Sequence, residues 1–261
     1  MTQFERLINI MVTLRAPDGC PWDHEQTHRS LRQHLIEETY EVIEALDSGD
    51  AEALRAELGD LLLQIVFHAQ IAAENNEFDI EDVARSISEK LIHRHPHVFS
   101  DVHVDGASEV VVNWEHLKLQ EQQAAHRTSA LDGIPPGLPA LQYATKVQKK
   151  AARVGFDWPD AAGPLAKVHE EIAELESACE AGDSEATERE LGDLLFSICN
   201  LARFLDVDSE SALREMIGRF RTRFEHMEAT ATRDGRSMLE MTLEELEELW
   251  RSAKIATQTG E

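Results

Sequence analysis

The sequence predicts an all-α protein built as a tandem duplication. Three observations carry that reading: a helix-favouring composition, apolar residues at helical spacing, and one acidic pattern that occurs twice. Ala, Leu and Glu are plentiful, and aromatics make up only 6% of the 261 residues, a balance that favours helices over sheets. The stretch "EETYEVIEALDSGDAEALRAELGDLLLQ" starts at Glu37, and "EEIAELESACEAGDSEATERELGDLLFS" starts at Glu170. Glu37, Glu38, Glu41, Glu57 and Asp60 reappear as Glu170, Glu171, Glu174, Glu190 and Asp193, each displaced by 133 residues, and the string ELGDLL is identical in both copies. Trp114 and Lys118 recur as Trp250 and Lys254 at a slightly larger offset.

The elements follow in order. The opening "MTQFERLINIMVTLRAPDGC" mixes charges with its apolar residues and has no signal-peptide core. "DHEQTH", residues 23–28, matches the His-Glu-x-x-His pattern of zinc hydrolases, which places two histidines on one helical face. Pro21 lies only three residues before His24, so the match falls at a helix start, and the second half has no copy of it. A catalytic zinc also needs a third ligand on a supporting scaffold. The stretch therefore reads as the entry to the first repeat, with a coincidental motif. Leu35, Val42 and Leu46 in the first copy, and Ile172, Leu175 and Cys179 in the second, follow helical spacing. Gly49 and Gly182 are placed to end a helix, and Asp50 and Asp183 to cap the next, which predicts a helical hairpin in each copy. In "HRHPHVFSDVH", Pro96 interrupts the helix, so His93, His95, His97 and His103 read as helix-end and loop residues. "HRTSALDGIPPGLPALQ" carries Pro135, Pro136 and Pro139 and reads as a connector. The expected division is a domain over 1–125, a Pro-rich linker over 126–140 and a domain over 141–261.

Charge and composition narrow the function. A net charge of −25 disfavours nucleic acid as a partner, because phosphate backbones would be repelled. It leaves phosphate chemistry open, since a metal held by carboxylates reverses the local field. No run of 18 apolar residues exists, so no membrane partner is expected. Three scattered cysteines, Cys20, Cys179 and Cys199, suit a reducing compartment, and the expected location is the cytoplasm.

The repeated acids form the candidate site. Glu37, Glu38 and Glu41 project over an arc of about 100° on one helix, and Glu57 and Asp60 share a face of the next. Glu41 lies eight residues before Gly49 and Glu57 eight after it, so both stand roughly 12 Å from the turn. The second copy repeats this arithmetic around Gly182. Converging carboxylates repel one another unless protonated or bridged by a cation. All-oxygen donors suit Mg²⁺, with Mn²⁺ as a substitute.

E-E-x-x-E followed after fifteen residues by E-x-x-D, in two copies, resembles the MazG family of nucleoside triphosphate pyrophosphohydrolases. "GCPWDHEQT" at 19–27, "RHPHVF" at 94–99, "SALDGIP" at 129–135 and "VGFDW" at 154–158 are similar to that family too, so the likeness spans nearly the whole chain. The resemblance implies two tandem MazG-like helical domains whose hairpins pack as four-helix bundles in a homodimer. It also implies Mg²⁺-dependent hydrolysis of (deoxy)nucleoside triphosphates to monophosphate and pyrophosphate, with broad specificity and a role in cleaning the nucleotide pool. All ten carboxylates above become metal ligands, with Glu171 and Glu38 as the bases. Arg219, Arg223, Trp250 and Lys254 become substrate contacts, and Lys90, Arg94, Trp114 and Lys118 their first-half counterparts. The second half is expected to be the more active. Alternatives are a narrower dUTP or phosphoribosyl-ATP pyrophosphohydrolase, and a non-catalytic nucleotide-sensing protein. A di-iron bundle would want Glu-x-x-His pairs in the hairpins, and neither has one.

Overall fold

The computed structural model describes residues 1–100, 102–103, 106, 110 and 129–258. The chain divides into two compact units, Met1–Ala125 and His126–Glu261. Among the described residues there is no strand, and no helix is long and apolar enough to cross a membrane.

Among the described residues of the first unit the helices are α1 (Gln3–Arg15), α2 (Pro21–Glu25), α3 (Arg32–Ser48), α4 (Ala51–Glu74), α5 (Ile80–Arg94) and α6 (Pro96–Phe99). Thr2 and Glu5 form a reciprocal capping box that starts α1, and Asp79 and Asp82 do the same for α5. The α3–α4 hairpin turns on Gly49, whose φ of 71° is left-handed and costs little without a Cβ, and Asp50 then caps Glu52 and Ala53. Leading helix α1 packs on α4, and Met11, Leu31, Val66, Phe67 and Ile71 form the buried core.

The second unit carries α7 (Ala140–Arg153), α8 (Ala162–Ala181), α9 (Ser184–Phe204), α10 (Ser209–Arg233) and α11 (Leu243–Gln258). Its α8–α9 hairpin turns on Gly182 at φ 69°, with Asp183 capping Ala186, so the two turns are built alike. Leading helix α7 packs on α9, as α1 does on α4, and α10 pairs with α11. Here the fully buried side chains are smaller, Pro164 and Cys199 among them.

Candidate active site

Each hairpin brings three carboxylates together. Glu38 and Glu41 of α3 meet Glu57 of α4, and Glu171 and Glu174 of α8 meet Glu190 of α9; in each trio the oxygens lie within 4.8 Å of one another. The turn explains this meeting, because equal rise on either side of Gly49 and of Gly182 returns the paired acids to one height. Glu171 is the buried member of the second trio, at 4% exposure.

Packing acid against acid disfavours ionisation. The Glu38 carboxyl is held above its usual range by desolvation first, then by Glu41, Asp60 and Glu57 around it. Glu174 is raised as well, by desolvation and by Glu171, Glu190 and Glu170, with the Lys167 charge opposing them. A divalent cation relieves the same repulsion without protons, and six carboxylates in two sets of three are the hard oxygen donors such an ion takes. Both clusters can therefore bind a metal ion.

The other acids of the repeat stand at the edges. Glu37 turns to His34, with Oε2 3.3 Å from Nδ1, and accepts from Gln33 Nε2 at 2.9 Å. Asp60 acts on Glu38 through its charge. Glu170 accepts from Lys167 Nζ at 2.8 Å, and the same ammonium reaches Glu171 at 2.6 Å. Those two bonds push the Lys167 pKa well up. Asp193 is exposed on α9, one turn beyond Glu190 and outside the trio. Lys167 stands outside the repeated acidic motif, and its sequence signal is its place four residues before Glu171, the spacing at which helix side chains meet.

Of the basic and aromatic candidates, three come together between α10 and α11. Arg223 and Lys254 each place their charge 5.8 Å from the Trp250 ring centre, and Phe220 packs on that ring at 5.2 Å. Arg219 is exposed one turn away and pairs with Glu215 at 3.6 Å. Among the described residues, no hydrogen bond or ion pair links these residues to Glu171, Glu174 or Glu190. In the first unit, Lys90 is exposed on α5 beside Phe78, Asp82 and Ile87, and Arg94 ends that helix. Trp114 and Lys118 lie outside the described residues.

The His-x-x-x-His match does not assemble. Helix α2 stops at Glu25, so His24 and His28 share no helical face. His24 Nδ1 lies 3.1 Å from the Arg15 carbonyl, while His28 stacks on His68 with their Nδ1 atoms 2.8 Å apart.

Two helical hairpins in tandem, each with a carboxylate trio that could hold a metal ion, define an all-α protein with a duplicated acidic cluster. The sequence matches the MazG nucleotide pyrophosphohydrolase domain over residues 26–99 and 163–228, which bracket the two trios. It is 49% identical over 256 residues to the nucleoside triphosphate pyrophosphohydrolase/pyrophosphatase MazG of Thermotoga maritima, covering 98% of this chain and 97% of that protein. It is 45% identical over 257 residues to the nucleoside triphosphate pyrophosphohydrolase of Escherichia coli K12, covering 97% of this chain and 98% of that one. The chain belongs to the MazG family.

Proposed function

We infer that the protein hydrolyses (deoxy)nucleoside triphosphates to the monophosphate and pyrophosphate, with broad specificity, as housecleaning of the nucleotide pool. The observation that carries this reading is the carboxylate trio repeated at matched height in both hairpins, in a chain similar along its full length to enzymes named for that activity.

The ion is Mg²⁺, with Mn²⁺ as a substitute. Glu171, Glu174 and Glu190 would hold it in the second unit, with Glu170 and Asp193 adjoining; Glu38, Glu41 and Glu57 would do so in the first, with Glu37 and Asp60. When bound, it neutralises charge building on the phosphate oxygens during transfer. Glu171 takes a proton from the attacking water, and Glu38 is its first-unit counterpart. Arg219 and Arg223 meet the phosphates, and Trp250 stacks on the base, with Lys254 one turn away adding charge. Lys90, Arg94, Trp114 and Lys118 are their first-unit equivalents.

We take the active form to be a homodimer in the cytoplasm, with the Pro-rich stretch 126–140 linking domains over 1–125 and 141–261. Exposed apolar rows support a second copy as partner: Leu58, Leu62 and Ile65 on α4 are matched by Leu191, Leu195 and Ile198 on α9.

Pyrophosphate release from a panel of triphosphates with Mg²⁺ tests the reading, run beside Glu38→Gln and Glu171→Gln. The expected result is turnover of several nucleotides, cut by about 10³-fold in the Glu171 variant, the size of effect seen when one group acting on the transition state is removed, and far less in the Glu38 variant. No pyrophosphate from the intact protein would overturn the activity. Turnover of one nucleotide alone would overturn the breadth.

A further inference from the structure

The connector over 26–31 joins α2 to α3 and meets α4 at two points. Leu31 is buried in the core with Val66, Phe67 and Ile71. Three residues earlier, His28 lies against His68 of α4, the rings nearly parallel and their Nδ1 atoms 2.8 Å apart. The connector is built to present that ring. Thr27 N–H donates to Ser30 Oγ at 2.9 Å, and Ser30 N–H donates back to Thr27 Oγ1 at 3.1 Å, which closes a turn that includes His28. Helix α3 begins directly after it, and Leu31 at its N-cap has no side-chain hydrogen bond to offer. The start of α3 therefore depends on what holds the connector.

A neutral imidazole has one N–H and one bare nitrogen, so one Nδ1 of the pair donates and the other accepts. Whichever way that proton sits, His68 Nε2 is buried without a partner. The pair can take one more proton. His28 is exposed, and it can carry the proton on its Nε2 while its Nδ1 still donates to a bare His68 Nδ1. A second extra proton sets N–H against N–H, with a positive charge on each ring, and the bond is lost. Burial first, then the His28 charge, holds the His68 pKa below its usual value near 6.5. The other charges around α4 have partners of their own. Arg15 of α1 bonds to Glu74 and the Gln26 carbonyl, His34 of α3 pairs with Glu37, and Asp82 and Arg85 of α5 pair with each other. Glu38 and Glu41 of α3 gather at Glu57, and Arg29 of the connector is exposed.

The second unit has no counterpart. A displacement of 133 sets Leu201 at the place of His68. The same displacement sets Ala161 at that of His28, and the 136 that carries Gly19 and Trp22 to Gly155 and Trp158 sets Pro164 there; none of these titrates. Packing differs as well. Met11, Arg15 and Phe67 fill their corner of the first unit, with the Arg15 guanidinium 5.3 Å over the Phe67 ring. Val147, Ala151 and Asn200 replace them in the second unit and line a cavity of about 620 Å³. With that corner filled beside it, His68 stays put, and the exposed His28 is the ring able to move.

We propose that His28 and His68 form a pH-sensitive latch, which pins the connector and the first turn of α3 to α4 and lets go when both rings are charged. Helix α3 supplies Glu38 and Glu41, so the release reaches the first trio, and the second trio has no such control. The sign is fixed by linkage: the open form binds a proton more readily than the closed one, so acid favours opening.

Hydrogen exchange of the full chain, read by mass spectrometry on peptides covering 26–34 and corrected for the intrinsic pH dependence, tests the latch. Protection there should fall about tenfold between pH 7.5 and pH 5, the effect of one linked proton over one pH unit. His28→Ala, at an exposed position, should show the lower protection already at pH 7.5 and no further step. His68→Leu, which installs the second unit's residue, should lose the step as well; if it fails to fold, His28→Ala decides alone. Equal protection of the intact protein at the two pH values overturns the proposal. So does protection retained in His28→Ala at pH 7.5, or an undiminished step in that variant, which would trace the effect to the carboxylates.

Discussion

The two carboxylate trios share spacing, turn and cap, yet they settle their charge differently. Lys167 occupies the repeat position that His34 holds in the first unit. In the second unit its ammonium bridges Glu170 and the buried Glu171. In the first, His34 reaches only Glu37, at the edge, and Glu38 is left with acids on three sides. The second trio thus carries a built-in counter-charge, whereas the first relies on protons or an added cation. Duplication preserved the frame of the site, and one residue a turn before it changed the electrostatic state.

The sharpest way to break this comparison is a matched pair of substitutions. Glu190→Gln should lower pyrophosphate release by roughly 10²–10³-fold, the usual scale for removing one electrostatic contact to the transition state. Glu57→Gln should change it less than about threefold. Equal losses in steady-state assays would mean that both units turn over.

Next comes the corner that Arg15 fills in the first unit only. Arg15 is 6% exposed and donates to Glu74 at 2.9 and 2.7 Å, so Arg15→Met strands a partly buried carboxylate, at a cost of roughly 3 kcal/mol. Denaturant melts of the full chain should show that loss in the first unit's transition. The pH dependence has a definite sign. The Arg15 hydrogen bonds hold the Glu74 pKa below its usual value near 4.5, so their stabilisation is fully present above that pH. It is lost as pH falls through the lowered value. Melting temperatures taken from pH 7 to pH 3 should converge between the intact protein and Arg15→Met at the acid end.

Smaller effects probe what the halves share. Asp50→Ala and Asp183→Ala each remove an N-cap, at about 1 kcal/mol. Similar losses in thermal melts would confirm that the turns are equivalent. Smallest is Lys167→His, which gives the second trio the first one's neighbour. The melting temperature without metal should fall, and saturating Mg²⁺ should close the gap. A difference that persists at saturating Mg²⁺ would mean that the lysine stabilises something other than the trio.

The hairpins were legible in the sequence because helix spacing, Gly49 and Gly182, and Asp50 and Asp183 are local signals that agree. The meeting of Glu38 and Glu41 with Glu57 was legible too, since it follows from counting residues either side of a turn. The diversion of Glu37 and Glu170 was not, because it depends on His34 and Lys167, which stand before the repeated motif. Nor was the pairing of His28 with His68, forty residues apart, a matter of packing alone. The cavity was least visible of all, being the joint result of Val147, Ala151 and Asn200 on two helices. "VGFDW" is marked in the sequence only by its family likeness, although four of its residues line that space.

The Gly–Asp turns have a consequence for how this gene can change. Losing one residue between Asp50 and Glu57 would swing Glu57 about 100° around α4 and draw it back 1.5 Å. The same deletion between Asp183 and Glu190 would do likewise in the second half. Insertions and deletions are ordinarily best tolerated near turns, and here the eight residues on either side act as a fixed gauge. Point substitutions separate the two copies, yet they align without a gap from Glu37 to Gln64 and from Glu170 to Ser197, so both hairpins keep that gauge.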